Sequence, residues 1–311
     1  MKTVFMYAGQ GSQYVGMGKD LYEKYPEYKE TIDSLKEYDA YKSLMENGPI
    51  EELSLTKNTQ PCMAGFAAGV TNVLLSKGIK PDAACGLSLG EYGALYVAGI
   101  LNVNDYVETV TYRGKVMHEA AEGLVCAMSA VLGMKSEDIE AVIEKIDCGY
   151  IIVANYNCPG QYVICGDVNA VEEAEVKLKE AGAKRCVRLQ VSGPFHTKYM
   201  EPASEKLAEK LNTITINKAS IPVALNVTGK IADENTDIKE NLKQQIKSSV
   251  RFENEIKELI NEGADTFVEI GPGKVLSGFV KKIAKEMEKE VVTYTTDTCE
   301  DIEKLASELN G

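Results

Sequence analysis

The 311-residue chain carries 34 Lys and Arg against 47 Asp and Glu, a formal charge of −13, and 44% of its residues are hydrophobic. That is enough apolar matter for a large core, which excludes a disordered chain, and the acidic balance excludes a nucleic-acid partner, since neutralising phosphates takes a basic face. No apolar run approaches the roughly 20 residues of a membrane span, and Met1 leads straight into a strand pattern, so a cytoplasmic protein with no membrane contact is expected.

Taken in order, the first elements alternate strand and helix. Thr3–Tyr7 reads as a strand, Leu21–Leu35 as a helix broken at Pro26, Met63–Leu75 as a helix, Ala83–Cys85 as a buried strand, and Tyr92–Ala98 and Val107–Met117 as helices. Strands separated by helices predict a parallel sheet covered on both faces. The rhythm then changes. Val125–Leu132, Tyr150–Asn155, Tyr162–Cys165 and Arg185–Val191 read as strands, Ser136–Ile146 and Val171–Glu180 as helices, and Asn157–Gly160 as a turn. This order is βαββαβ, the ferredoxin-like pattern. Strands over Pro222–Leu225, Thr266–Ile270 and Val291–Tyr294, each beside a helical segment, return to the first rhythm. The expected organisation is one α/β domain built from residues 1–123 and 193–311, carrying a small ferredoxin-like domain inserted at 124–192. A cleft between two such units is a natural substrate site.

The eight cysteines form no C-x-x-C pair and are expected as buried, reduced thiols; with only His118 and His196 in the chain, no metal site is expected.

Gly86-Leu87-Ser88-Leu89-Gly90 places a serine between two glycines where a strand runs into a helix. Glycines there permit a sharp, strained bend that leaves the hydroxyl exposed for attack, although the same pattern fits a turn in which Ser88 merely caps the helix. A serine nucleophile needs a base. His118 lies on a helical run and reads as a solvated surface residue. His196 follows Ser192-Gly193-Pro194-Phe195, a turn at the junction of the two expected domains, which favours catalysis. No acidic residue is close to it in sequence, so its orienting acceptor must come from elsewhere, a backbone carbonyl among the options. The backbone N–H of Leu89 offers one donor to an oxyanion, and Gly9-Gln10-Gly11-Ser12-Gln13, at the carboxyl end of the first strand, could offer another. Neither a phosphate-loop nor a dinucleotide fingerprint is present. Arg113 is either a solvated helix residue or a bidentate clamp on a substrate carboxylate. Gly271-Pro272-Gly273-Lys274 reads as architecture at a helix start.

Together and in order, these motifs, with Thr59-Gln60-Pro61, Arg113-Gly114-Lys115, Asn155-Tyr156-Asn157-Cys158-Pro159-Gly160-Gln161 and Glu269-Ile270-Gly271-Pro272-Gly273-Lys274, resemble the malonyl-CoA:acyl carrier protein transacylase family over nearly the whole chain. The resemblance implies an α/β-hydrolase-like domain with a ferredoxin-like insertion, and transfer of malonyl from coenzyme A to a carrier protein's phosphopantetheine thiol through an ester on Ser88, for fatty-acid or polyketide synthesis. It implies His196 as general base and acid, the N–H groups of Gln10 and Leu89 as oxyanion hole, Arg113 as partner of malonyl's carboxylate, and the backbone carbonyl of Gln245 as the group orienting His196. No cofactor is implied, malonyl-CoA being a substrate. Two residues depart from the family's common pattern: Leu87 stands where many members have His, and Ala8 where many have Pro. Phe195 resembles malonyl-preferring members and is a candidate specificity residue. Lys184, Arg185, Arg188, Lys281 and Lys282 are candidates for a patch receiving an acidic carrier protein, or a solvated face. A monomer is expected. An acyl hydrolase or editing enzyme on the same scaffold, and a noncatalytic binding module, are the rival readings.

Overall fold

The computed structural model describes residues 1–189 and 193–310. Its ten strands are β1 (Thr3–Tyr7), β2 (Ala83–Gly86), β3 (Cys126–Leu132), β4 (Ile151–Cys158), β5 (Gln161–Asp167), β6 (Arg185–Arg188), β7 (Ala224–Leu225), β8 (Lys230–Ile231), β9 (Thr266–Ile270) and β10 (Val292–Thr295). β10, β9, β1 and β2 form, in that order, a wholly parallel sheet. All five residues of β1 and of β9 are buried, as befits strands covered on both faces. The chain goes from β1 to β2 on one side and later to β9 on the other, so the connections diverge at β1. In such sheets the crevice for a ligand opens beyond the carboxyl ends of the strands at this point.

Helix Thr56–Ser76, mostly buried, packs against helix Val103–Ala121 on one face of this sheet. Phe252, Ile256, Phe279 and Ile283, from helices Phe252–Asn261 and Val275–Glu286, cover the other face over Val4, Met6 and Phe267. A second, antiparallel sheet has the order β4, β5, β3, β6. Helices Ser136–Ile143 and Val168–Glu180 bury one of its faces through Ile139, Val171, Ala174 and Leu178. Its other face carries Met128, Ala154, Val163 and Cys165. Backbone bonds tie β4 to the main body, with Tyr156 donating to the carbonyl of Val250 at 2.8 Å and Val250 to that of Ala154 at 2.9 Å.

Most expected elements stand within a few residues of their predicted places, with informative exceptions. The helix predicted to start at Met63 begins at Thr56; Pro61 lies in its second turn, where the missing N–H costs one helical bond without ending the helix. The region over Leu21–Leu35 is two helices, Lys19–Lys24 and Pro26–Ser34, the second opened by Pro26 at its first position. Helices Asp39–Asn47 and Ile50–Leu53 were not foreseen. The strand expected over Pro222–Leu225 is only a two-residue hairpin arm, because the chain reverses through Asn226–Gly229. Asn157 and Cys158 belong to β4, so the turn reduces to Pro159-Gly160. Of the strand expected over Arg185–Val191, Arg185–Arg188 is strand; Gln190, Val191 and Ser192 lie outside the described residues. All eight cysteines are free, but only four are buried; Cys126, Cys186 and Cys299 are partly covered, and Cys148, in the turn before β4, is exposed. Among the described residues no helix is long and apolar enough to cross a membrane.

Candidate active site

β1 ends in the Gly9–Gln13 loop and β2 in Leu87 and Ser88, so the divergence point of the sheet brings the two motifs together. The Ser88 bend is as tight as the two glycines suggest. A Cβ on Gly86 would lie 2.1 Å from the carbonyl carbon of Gly90, and one on Gly90 would lie 2.1 Å from the backbone oxygen of Tyr7. The helix Gly90–Val97 thus starts directly over the strands it leaves, and no side chain fits at either crossing. Ser88 itself has φ 56°, a left-handed conformation that non-glycine residues avoid. It does not cap the helix: Leu89 is the N-cap residue and no side-chain cap bond is present.

His196 also sits at positive φ, 62°, and is held by its own N–H donating to the Ile246 carbonyl at 3.0 Å. Its Nε2 is 2.8 Å from Ser88 Oγ and its Nδ1 is 2.9 Å from the backbone oxygen of Gln245. A carbonyl only accepts, so Nδ1 carries the proton and Nε2 presents a lone pair to the serine hydroxyl. Burial, reinforced by the nearby Arg113 charge, lowers the His196 pKa to about 4, which keeps the ring neutral at ordinary pH.

Arg113, on the buried side of helix Val103–Ala121, is wholly inaccessible. The solvated-face reading therefore fails. Its Nη2 donates to Ser88 Oγ and to Gln245 Oε1, each at 3.1 Å, and its Nη1 donates to Gln60 Oε1 at 2.8 Å. The guanidinium also lies 5.6 Å from the Tyr92 ring centre. Its Nε has no acceptor, and among the described residues no carboxylate lies within ion-pair distance of it. A buried cation served only by neutral oxygens is a ready partner for an anionic group beside Ser88.

A cavity of ≈ 200 Å³ joins these groups, lined by Gln10, Gln60, Ser88, Arg113, Phe195 and His196, among others. Met128 and Val163 of the second sheet, with Leu189 just after β6, also line it. The N–H groups of Gln10 and Leu89 have no acceptor among the described residues, while the Gln10 side chain is anchored to Thr56 at 3.2 Å. The sequence-predicted residues Ser88, His196, Arg113, Gln10, Leu89, Phe195 and Gln245 all converge here. Phe195 is buried against the hydrophobic core. His118 lies apart and is more covered than a solvated residue, 20% exposed and 3.9 Å from Glu122. The basic candidates divide. Lys184, just before β6, donates its N–H to the carbonyl of Leu132 at the end of β3, opposite Gln161, and Lys282 reaches Gln161 at 3.2 Å, so both stand at one end of the second sheet. Arg188 is instead engaged with Glu175 at 3.0 and 3.1 Å.

Sequence reasoning passed over several residues. Gln60 was seen only as part of a motif, and the Gln245 side chain not at all, yet both hold Arg113. Asn226 and the buried carboxyls Glu91 and Glu255 lie behind the serine. Burial pushes Glu91 up to about 7, against the pull of bonds from Asn226 and Gln245 and of the Arg113 charge. Burial, then the Glu91 carboxylate, raises Glu255 well above the usual carboxylate range. An acidic residue directly after Gly90, on the apolar face of a short helix, was the available signal for Glu91.

A serine at a strained strand-to-helix bend, bonded to a histidine oriented by a carbonyl, beside two free N–H groups, defines an acyl-transfer site. The chain belongs to the acyl transferase domain family, whose sequence profile matches residues 4–304. It is 46% identical over 303 residues, 96% of this chain and 95% of the other, to the malonyl CoA-acyl carrier protein transacylase of Bacillus subtilis (strain 168). The crystal structure of the malonyl CoA-acyl carrier protein transacylase from Clostridium perfringens superposes with a TM-score of 0.94 at 42% identity, covering 100% of this chain and 98% of that one. A malonyl-transacylase solved in complex with a type II polyketide-synthase acyl carrier protein superposes with a TM-score of 0.92 at 32% identity, covering 99% of this chain and all of that one.

Proposed function

We propose that this enzyme moves a malonyl group from malonyl-CoA to the phosphopantetheine thiol of an acyl carrier protein, by way of an ester on Ser88, for fatty-acid or polyketide synthesis. The observation that carries the reading is Arg113, a buried guanidinium without a carboxylate partner, donating to the nucleophile's own oxygen. Only an acyl group with a free carboxylate puts that charge to use.

In the first half-reaction Ser88 Oγ attacks the thioester carbonyl as its proton passes to His196 Nε2. The oxyanion forms against the N–H groups of Gln10 and Leu89. Collapse breaks the C–S bond, and His196 returns the proton to the departing coenzyme A thiolate. The carrier's thiol then enters, gives its proton to His196 and attacks the ester. Collapse of that adduct sends the proton back to Ser88 Oγ. His196 is neutral at the start of each half, as its depressed pKa requires. The carbonyl of Gln245 holds the ring's tautomer and bears part of the positive charge that develops on it. Phe195 fills the cavity wall beside His196 and limits the acyl group's size. The chemistry needs no cofactor.

The same reading covers the architecture. The parallel sheet with its serine bend is α/β-hydrolase-like, and the strand order β4-β5-β3-β6 with two helices on one face supports a ferredoxin-like insertion over 124–192 within 1–123 and 193–311. The enzyme acts as a cytoplasmic monomer, with its site complete within one chain.

Incubation with malonyl-CoA should add the mass of one malonyl group. The increment should be absent in Ser88→Ala and should disappear when a carrier protein bearing phosphopantetheine is supplied. An adduct that water releases as fast as the carrier protein does would favour the hydrolase reading instead.

A further inference from the structure

Ser88 is held in its left-handed conformation by a residue from a different part of the chain. Asn226 Oδ1 accepts the N–H of Ser88 at 2.7 Å, and Asn226 Nδ2 donates to the carbonyl of Gly86 at 2.7 Å. One side-chain amide thus grips the backbone on both sides of the bend. The amide is itself fixed. Its Nδ2 also donates to Glu255 Oε1 at 2.6 Å, and its backbone N–H donates to Glu91 Oε2 at 2.5 Å. Glu91 Oε1 in turn accepts from Asn241 at 2.8 Å. Asn226, Glu91 and Glu255 are fully buried, and Asn226 stands where β7 leaves the edge of the parallel sheet. Gln245 completes the arrangement, its Nε2 donating to the carbonyl of Ser88 at 2.9 Å.

A non-glycine residue at φ 56° relaxes unless its surroundings over-determine it. The N–H of Ser88 and the carbonyls of Gly86 and Ser88 are all engaged from outside the bend, and two of these three bonds come from the one asparagine. The peptide that follows carries the free Leu89 N–H, so the same grip sets the direction in which that donor points. We propose that Asn226 is a positioning residue for catalysis: it fixes the serine bend so that Oγ meets His196 and the Leu89 N–H meets the developing oxyanion. Glu91 and Glu255 act through Asn226 by locking its backbone and its side chain. Asn226 makes no hydrogen bond to the substrate carboxylate's partner, Arg113, and reaches it only through Gln245, whose Nε2 donates to Asn226 Oδ1 at 3.4 Å and whose Oε1 accepts from Arg113 at 3.1 Å, so it governs chiefly the rate of acyl transfer and not the binding of malonyl-CoA.

The proposal rests on the acyl-enzyme reading, and two probes separate their failures. Single-turnover acylation by malonyl-CoA, and inactivation by a small sulfonyl fluoride that needs Ser88 but not Arg113, are measured in the wild-type enzyme, Asn226→Ala and Asn226→Asp. Asn226→Ala should lose roughly 10- to 100-fold in both rates, as expected for a reacting group displaced by about 1 Å, with KM for malonyl-CoA within about twofold. Asn226→Asp keeps the oxygen that receives the Ser88 N–H and loses the donor to Gly86 and Glu255; it should lie between the two, and a thermal melt of each variant shows that it is folded before its rates are compared. Ile283→Ala, a core change far from the site, should lower thermal stability while leaving both rates intact. Wild-type rates in a folded Asn226 variant, or a loss confined to KM, would overturn the proposal. A wild-type enzyme that reacts with the sulfonyl fluoride but takes no malonyl group would overturn the functional reading and leave the role of Asn226 to be judged by the sulfonyl fluoride alone.

Discussion

A guanidinium is costly to bury, and Arg113 is hydrogen-bonded only by amide oxygens and one hydroxyl, beside an aromatic face and with Glu91 acting on it from beyond ion-pair distance. That unmet charge also acts on its neighbour, since it is one of the causes lowering the His196 pKa to about 4. The consequence for activity has a definite sign. The base must be neutral, so kcat/KM for malonyl-CoA should hold its plateau down to about pH 4 and fall below it, where an ordinary histidine would begin to fail near 6.5. Arg113→Ala removes the repulsion, and its acid limb should move to higher pH; an unmoved limb would show that burial alone sets the shift. Stability follows the same linkage. Between the unfolded value of 6.5 and the folded value of about 4 the unfolded chain binds a proton that the folded one refuses. His196 therefore costs stability as pH falls through that window, by up to about 3 kcal/mol at its lower end. His196→Asn should flatten the stability profile between those pH values, as measured by denaturant unfolding.

The bend is an element-scale device, and its two glycines are steric requirements of the crossing. Gly90→Ala would drive a methyl into the Tyr7 carbonyl and should cost at least about 3 kcal/mol, beyond the helix-propensity gain of roughly 1 kcal/mol that alanine brings. A thermal melt of that variant within a degree or two of the wild type would contradict the crossing. This part of the fold was legible because the constraint is local: Gly86, Ser88 and Gly90 are adjacent in sequence, and the apolar runs of β1, β2 and β9 announce buried parallel strands. The hairpin arm at Ala224–Leu225 was not, because an apolar run does not reveal that only one of its residues bridges Ala84 before the chain turns away. Asn226 escaped notice for the same reason. Its partners Ser88 and Gly86 are 138 and 140 residues away, and an asparagine before Val-Thr-Gly reads locally as nothing more than a turn residue.

At the scale of the whole molecule, the second sheet supplies one wall of the cavity and the parallel sheet supplies the chemistry. The βαββαβ rhythm made the unit visible in the sequence. The face of that sheet turned to the cavity gave no sign of being the wall of a site, since Met128 and Val163 look like ordinary core residues. A net charge of −13 would slow the approach of an acidic carrier protein, so a local basic region matters for association more than for fold. Lys184→Glu combined with Lys282→Glu, at one end of the second sheet, should raise KM for the carrier protein severalfold and flatten or reverse its rise with salt, with KM for malonyl-CoA unchanged. Equal effects on both substrates would place the carrier elsewhere.

Under the proposed function, Arg113 makes this serine selective for an acyl group bearing a carboxylate. The most direct test is the ratio of kcat/KM for malonyl-CoA to that for acetyl-CoA, measured in the wild-type enzyme and in Arg113→Ala. Losing one partner of a buried charged pair costs about 2–4 kcal/mol, so the ratio should collapse by roughly 30- to 1,000-fold, chiefly through the malonyl substrate. A ratio that survives the substitution, with both substrates slowed alike, would contradict the account.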